Sequence, residues 1–454
     1  MSDDHAAHAI SAYGSKINNT PNIDRLADEG IRLDSTFCTN ALCTPSRATI
    51  LTGQYSHING VKTLDDEIDS SRPIQSQKLL QDSGYKTAII GKWHLGNNEG
   101  SNPQGFDYWN VLPGQGDYFD PKFYEMGEEK QYTGYVTDII TEKAVDWLDS
   151  TDRDDPFFLM VHHKAPHSPW LAAPRHMNLG VEGEFLEPET LMDDYNTRSE
   201  AVKITSIRVE DTSERNLKVK TPDGISKDDK RRWAYQRYIT DYTRTIQAVD
   251  DSVGTLLDYL DENGLAENTL VIYTSDQGMF LGDHGWHDKR FMYEQSLQMP
   301  FIARLPDEID AGSVSNAMLL NVDFAATFYD YAGIDCPEEV QGSSGRQILA
   351  GTTPDGWRTS MYYRYWMSML GHRVVPNYGV RNERYKLIHY YGVLPEDTGL
   401  DDLNIPAEWE LYDLQADPEE IKNVYGSPEY SSVQADMLRE LDRLQTAAGD
   451  SPRH

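Results

Sequence analysis

Cys43-Thr44-Pro45-Ser46-Arg47, running on through Ala48-Thr49-Ile50-Leu51-Thr52-Gly53, brings a thiol, a guanidinium and a helix start into one short stretch. Proline is favoured in the first turn of a helix, where its missing N–H would be unpaired anyway. Pro45 therefore predicts a helix that starts at or just after Cys43, and Gly53 is its expected C-cap. Free backbone N–H groups and the positive end of the helix dipole gather at such a start and stabilise an anion or a thiolate. Arg47 follows Cys43 by one turn, so its guanidinium can reach the same face and grip an oxyanion bidentately. The chemistry this predicts is an anion site built around a nucleophile. Alone, C-x-x-x-R reads as a small buried cysteine at an ordinary helix start, so partners elsewhere in the chain decide between the two.

In open α/β sheets, ligands gather beyond the carboxyl ends of the strands, and polar residues directly after apolar runs are the ones to inspect. Leu270-Val-Ile-Tyr-Thr-Ser-Asp276-Gln277-Gly278 puts a carboxylate and an amide oxygen at such an end. With Asp3 and Asp4 they form a set of hard oxygen ligands suited to Ca²⁺, with Mg²⁺ as a substitute. Taken singly, Asp276 would be a helix cap and Asp3 and Asp4 a solvated tail. In Gly91-Lys92-Trp93-His94-Leu95-Gly96, Lys92 and His94 stand two apart, on one side of an extended segment, and can point into one pocket. Val161-His162-His163-Lys164-Ala165-Pro166-His167-Ser168-Pro169 ends another apolar run with three histidines, of which His162 and His163 read as supporting or core residues. Gly282-Asp283-His284-Gly285-Trp286-His287-Asp288-Lys289-Arg290 follows the Asp276 segment; His284 is a candidate for the pocket wall, and His287 and Arg290 read as solvated loop residues.

The elements that must carry these residues alternate. Apolar, β-rich segments at 86–90, 157–161, 270–274 and 300–303 lie between helical patterns, which predicts a large, mostly parallel sheet sandwiched by helices. The clearest helix spans 231–263, where Tyr238, Tyr242, Ile246, Val249, Val253, Leu256, Leu257 and Leu260 recur near a period of 3.6 and Gly264 ends it. Residues 175–230 are charge-rich without sustained periodicity and read as an insertion near the site rather than core. Beyond about residue 335 the pattern changes to short antiparallel strands, at 378–391 and 410–414, and a closing amphipathic helix at 431–447. The expected organisation is a catalytic domain over 1–334 and a smaller C-terminal α+β subdomain over 335–454.

Lys and Arg total 41 against 74 Asp and Glu, a net charge of −33 over 454 residues, which argues against a basic surface for nucleic acid or anionic lipid. The acid is spread along the chain, as in an adaptation to high salt, where screening suppresses self-repulsion. Cys38, Cys43 and Cys336 are too few for a disulfide framework and match no zinc spacing, so a reducing compartment is the simpler reading. With no apolar run long enough to span a membrane, a soluble cytoplasmic protein is expected.

The motif C-T-P-S-R-A-x-x-L-T-G resembles the sulfatase family of the alkaline-phosphatase-like superfamily, and Val249-Asp250-Asp251-Ser252-Val253-Gly254 and Glu410-Leu411-Tyr412-Asp413-Leu414 look like further sulfatase landmarks. The resemblance implies that a maturation system oxidises Cys43 to formylglycine, whose aldehyde hydrate attacks sulfur in line. It implies Asp3, Asp4, Asp276 and Gln277 as metal ligands, with residue 43 facing the ion; Gln277 replaces the commoner Asn. It further implies that Arg47, Lys92 and Lys289 balance charge on the sulfuryl group, that His94 takes a proton from the hemiacetal as sulfate is expelled, and that His167 is the general acid at the leaving oxygen. Met1 to His5 resembles the end of the family's first strand without the apolar run that leads into it, so either the start is misplaced or a central strand is missing, the former being favoured. Met361-Tyr-Tyr-Arg364-Tyr-Trp366 with His372, Tyr378 and Arg381 resembles carbohydrate sulfatases of the N-acetylglucosamine-6-sulfatase type; His372 and Arg381 are the candidate substrate contacts, and packing of the C-terminal sheet is the other reading. The expected substrate is a small-molecule or oligosaccharide sulfate ester. The rivals are a phosphonate monoester or phosphodiester hydrolase on the same scaffold, and a non-catalytic binding protein should residue 43 keep its thiol.

Overall fold

Two sheets and the helices on their faces hold the strand ends that carry the polar segments. The computed structural model describes residues 1–179, 185–367, 372–393 and 404–451. We number strands and helices in chain order as β1 (Ile31–Leu33), α1 (Cys43–Thr52), β2 (Lys86–Lys92), β3 (Tyr108–Leu112), β4 (Lys122–Glu125), β5 (Glu128–Gln131), α2 (Val136–Ser150), β6 (Phe157–His162), α3 (Lys227–Glu262), β7 (Val271–Thr274), β8 (Phe301–Arg304) and β9 (Ser313–Ser315). One sheet has the order β5-β4-β3-β2-β6 and the other β9-β1-β8-β7. β2 is parallel to β3 and to β6, whereas β8 runs antiparallel to both β1 and β7, so the strand pairing is mixed.

Between β6 and β7 lies a seam. Met1 and Ser2 stand there: Ser2 N donates to Thr274 O (3.0 Å), and His163 N donates to Met1 O (2.9 Å). Ser2 makes parallel bridges to both His163 and Ser275. Along the rest of the seam Phe157, Phe158, Leu159, Val161, Val271 and Ile272 are half-buried. The two residues therefore take the place expected for the end of a central strand, and Asp3 and Asp4 follow directly at the carboxyl end of the sheet.

α3 starts at Lys227, capped by the Ser226 side chain, and ends at Glu262, so its apolar stripe of Tyr238, Tyr242, Ile246, Val249, Val253 and Leu257 packs inward as its period requires. The charge-rich 175–230 stretch is a correction to the sequence reading: Tyr195, Ala201, Val202 and Ile207 are buried in the main apolar cluster. Its buried charges are paired, Arg198 on Asp193 within the stretch (2.9 Å) and Glu210 on Arg231 of α3 (2.6 Å), so polar composition hid a packed segment.

β10 (Ser360–Tyr365), β11 (Asn377–Asn382), β12 (Tyr385–Tyr390) and β13 (Glu408–Asp413) form an antiparallel sheet in that order, with α4 (Ser431–Ala448) across it. β10 reaches the site: the Tyr363 hydroxyl donates to Arg290 O (2.7 Å) and accepts from Ala41 N (3.2 Å), tying the entry to α1 to the loop that bears Lys289. No described helix is long and apolar enough to cross a membrane.

Candidate active site and metal centre

Cys43 is the first residue of α1, Leu42 before it is extended, and Gly53 closes the helix in the left-handed region at φ 62°. The thiol is 2% exposed. Burial pushes it above its ordinary value, outweighing the pull of Lys92 and Lys289 towards the thiolate. The helix start alone therefore does not give the thiolate that the sequence suggested.

Strand ends bring the other groups to it. β2 ends at Lys92, whose ammonium donates to Asp3 and to the Gln115 side chain. Gly91 makes this possible: it sits at φ +105°, and a Cβ there would lie 2.0 Å from His162 O. His94, at φ 56°, shares a hydrogen bond with the Thr44 hydroxyl (3.2 Å), one residue from Cys43. Its burial, reinforced by Lys92, holds the imidazole well below its ordinary value and hence neutral. Past β6, His167 donates from Nδ1 to Ser168 O (2.8 Å), which leaves Nε2 turned to the cluster, 3.8 Å from Asp4 Oδ2. Burial lowers this histidine too, against the opposing field of Asp3. Lys289 donates to both oxygens of Asp4 (2.6 and 2.7 Å). Asp288 at φ 77° and Arg290 at φ 92° flank it in the left-handed region, which non-glycine residues occupy only where their surroundings over-determine it. Here Arg290 Nε donates to Asp288 Oδ2 (3.0 Å) and Arg290 Nη1 to the Tyr365 hydroxyl (3.1 Å).

Asp3, Asp4 and Asp276 each offer an oxygen, all within 4.8 Å of one another. Asp4 N donates to Asp276 Oδ1 (3.1 Å), and Gln277 donates its amide to Asp4. Two buried acceptors, Asp3 Oδ1 and Gln277 Oε1, receive no hydrogen bond among the described residues. Buried orphan oxygens beside crowded carboxylates fit a hard divalent cation. The electrostatics agree. Burial pushes Asp4 up to about 7 despite Lys289, and burial together with Asp3 raises Asp276. Asp3 is the exception: burial would raise it, but Lys92, His167 and Arg47 hold it below its ordinary value.

A folded-state value of about 7 for Asp4, against 3.8 as the ordinary value, means that the cation-free native state holds a proton which the unfolded chain has released. This group therefore subtracts stability as pH rises from about 4 to 7, and a cation must displace that proton to bind. The expected result is a Tm increment from a fixed free Ca²⁺ concentration, against chelator, that grows between about pH 5.5 and about pH 8. Scanning calorimetry measures it, and an increment flat or falling across that range would speak against cation binding at these carboxylates.

Several expected site residues stand elsewhere or act otherwise. Arg47 is held from one side: Nε donates to Asp276 Oδ2 (2.9 Å) and Nη1 to Lys92 O (2.8 Å), while its buried Nη2 has no hydrogen-bond partner among the described residues. His284 is fully buried, with Nδ1 3.1 Å from Asp193 Oδ2 and its ring packed on Trp286 and Tyr293, so it is no pocket wall. Arg381 pairs with Glu294 (3.1 and 2.9 Å) and lies over the Phe37 ring, a packing role rather than a substrate contact. Arg290 is buried rather than solvated. His287 is only partly exposed, and burial lowers it to about 4. His372 is 37% exposed, with Nδ1 3.3 Å from Asp288 Oδ2, at the margin of the Lys289 loop. His162 and His163 are buried, as read. Gln115 was missed; its signal was the Gly114-Gln115-Gly116 turn just past β3, where both glycines adopt positive φ.

Residues 1–334 match the family described as Sulfatase. The chain belongs to the sulfatase family. The C-terminal part of this sulfatase, residues 282–447, matches the description N-sulphoglucosamine sulphohydrolase, C-terminal. The sulfatase is 41% identical to an N-acetylglucosamine-6-O-sulfatase of Bacteroides thetaiotaomicron, over 99% of this chain and 86% of the relative. It is 29% identical to the human N-acetylglucosamine-6-sulfatase over 75% of this chain and 62% of that protein. A solved structure described as a complex with its substrate D-glucosamine-2-N,6-O-disulfate superposes with a TM-score of 0.92 at 41% identity, covering 99% of this chain and 97% of the other. The phosphonate monoester hydrolase of Agrobacterium radiobacter shares the fold, with a TM-score of 0.76 at 19% identity over 98% of this chain and 94% of its own.

Proposed function

We propose that this sulfatase hydrolyses the 6-O-sulfate of a glucosamine-type sugar, using formylglycine made from Cys43 and a divalent cation, Ca²⁺ by preference. The observation that carries the reading is the convergence of Lys92, His94, His167 and Lys289 around a buried Cys43 and an oxygen cluster, in a chain 41% identical throughout to an N-acetylglucosamine-6-O-sulfatase. The net reaction is R–O–SO₃⁻ plus water giving R–OH and hydrogen sulfate. Asp3, Asp4, Asp276 and Gln277 would hold the cation beside residue 43, and when bound it supplies positive charge to the sulfate oxygens and to the nucleophilic oxygen. A buried thiol held protonated is a poor nucleophile, which favours its replacement by the hydroxyl of a formylglycine hydrate.

The chain's own residues then divide the work. Lys92 and Lys289 present ammonium groups to the anion from opposite carboxylates. Arg47 fixes Asp276 through Nε and keeps the buried Nη2, unpartnered among the described residues, for the anion. His94, neutral and next to residue 43, is placed to take a proton from it. His167 rests neutral with Nε2 towards the site; an entering anion raises its basicity, and the proton it gains goes to the leaving alkoxide oxygen.

A phosphonate monoester hydrolase is the second reading, on the shared fold alone. Comparison of kcat/KM for an aryl sulfate, the matching aryl phosphonate and N-acetylglucosamine-6-sulfate decides between them. Sulfate esters are expected to win by about a hundredfold or more, since the site must discriminate through charge and geometry at the reacting atom. A phosphonate preference would overturn the sulfate reading.

A further inference from the structure

Lys164 stands two residues beyond β6 and is 2% exposed. Its ammonium donates to Ser168 O at a long 3.3 Å and lies 5.0 Å from the centre of the Tyr118 ring. Among the described residues no carboxylate oxygen comes within 4.0 Å of it. The other buried cations of the site are matched one to one, Arg47 to Asp276, Lys92 to Asp3 and Lys289 to Asp4. Lys164 is a cation in excess of that balance. A buried ammonium with no carboxylate in contact is costly, and the cost shows: burial, with Lys92 adding to it, lowers this lysine to about 8 against the weaker fields of Asp3, Asp117 and Asp4.

Its location connects it to the reacting end of the site. It precedes His167 by three residues, and the hydroxyl of Tyr118, the ring beneath it, donates to His167 O (2.5 Å). Lys92, Asp3, Asp117 and Asp4 all act on it electrostatically, none of the three carboxylates within ion-pair distance. Neither the oxygen cluster nor the proton transfers assigned above use it.

We propose that Lys164 is a substrate contact of this sulfatase, its ammonium taking an anionic oxygen of the bound ester on the side of the site where His167 stands. The inference rests on the sulfate-ester reading. Two sources supply the same chemistry: the scissile sulfate itself, or a second acidic substituent on the sugar.

The test compares Lys164→Gln and Lys164→Arg with the natural enzyme on N-acetyl-D-glucosamine-6-sulfate and D-glucosamine-2-N,6-O-disulfate. Glutamine still donates to Ser168 O, so it removes charge with little else. We expect Lys164→Gln to lower kcat/KM roughly ten- to hundredfold, mainly through KM, with Lys164→Arg recovering most of the loss. A loss on both esters, with weaker inhibition by inorganic sulfate, assigns the scissile group; a loss confined to the disulfate assigns the second substituent. Rates within about twofold of the natural enzyme, or an equal loss of affinity for uncharged N-acetyl-D-glucosamine, would overturn the inference. Calorimetric titration of the Cys43→Ala protein with the same ligands, with and without Lys164→Gln, keeps the two readings apart. If the natural enzyme cleaves neither ester, the proposed substrate fails, and Lys164-dependent sulfate affinity still decides for or against the contact.

Discussion

Cys43→Ala is expected to remove sulfate-ester turnover by about four orders of magnitude or more while leaving the fold intact. The two halves of this expectation have different origins. Among the described residues no hydrogen bond depends on the residue 43 side chain, and cutting it back to a methyl at the start of α1 removes one small buried group, a loss of about 1 kcal/mol. Activity, by contrast, loses its nucleophile outright, and none of Lys92, His94, His167 or Lys289 replaces it. Cys43→Ser sharpens the point. A serine oxygen can take the sulfuryl group, but it lacks the second hydroxyl through which a hydrate would release it, so the protein should stop after one equivalent, carrying a sulfate ester at residue 43. Intact-protein mass spectrometry after incubation with an aryl sulfate measures this, with kcat/KM and Tm alongside. Full turnover by either variant would remove residue 43 from the chemistry.

The strand-end rule explains why so much of this site was legible. Lys92 ends β2 and His94 follows it, Asp276 stands two residues past β7 and His167 five past β6. β2 and β6 are parallel, and Ser2 bridges in parallel to His163 and Ser275, so these ends come to one edge. What misled was charge pairing across long sequence distances. Arg47 and Arg381 look like free cations in a linear chain, and folding brings Asp276 and Glu294 to them; Arg290, beside its near neighbour Asp288, also gains the distant Tyr365 hydroxyl. Spacing carries no information on such partners. The same blindness concealed Lys164, whose interest lies in the partner it lacks. The burial of Tyr195, Ala201, Val202 and Ile207 is hidden for a related reason, since Arg198 pairs with Asp193 and Glu210 with Arg231 of α3, and only the apolar residues report the packing. In the C-terminal sheet, β11, β12 and β13 were foreseeable from alternation, while the reach of Tyr363 into the catalytic loops depends on a register no single sequence displays.

Lys289→Met is expected to damage stability and catalysis separably. Lys289 holds both oxygens of Asp4, and its own ammonium is kept above the usual lysine range because Asp4 and Asp288 outweigh the cost of burial. Without it, in chelator, Asp4 loses its counter-charge and must take up a proton, a pH-dependent loss of about 1 kcal/mol at pH 8. The size of that loss depends on pH in a predictable sense. Asp4 already sits at about 7 with Lys289 helping its charged form, so removal of the lysine raises it further. At about pH 5 the carboxyl is neutral in both proteins, and much of the penalty disappears. Asp4→Asn combined with Lys289→Met should recover most of the stability at pH 8, because the unpaired charge is gone. It should recover none of the activity, since one oxygen ligand and one cation facing the sulfate are both lost, together worth about a thousandfold or more in kcat/KM. Chemical denaturation at both pH values and steady-state kinetics with Ca²⁺ measure the two halves. A double variant no more stable than Lys289→Met would show that the lysine acts through packing, and one that regained activity would remove Asp4 and Lys289 from the reacting site.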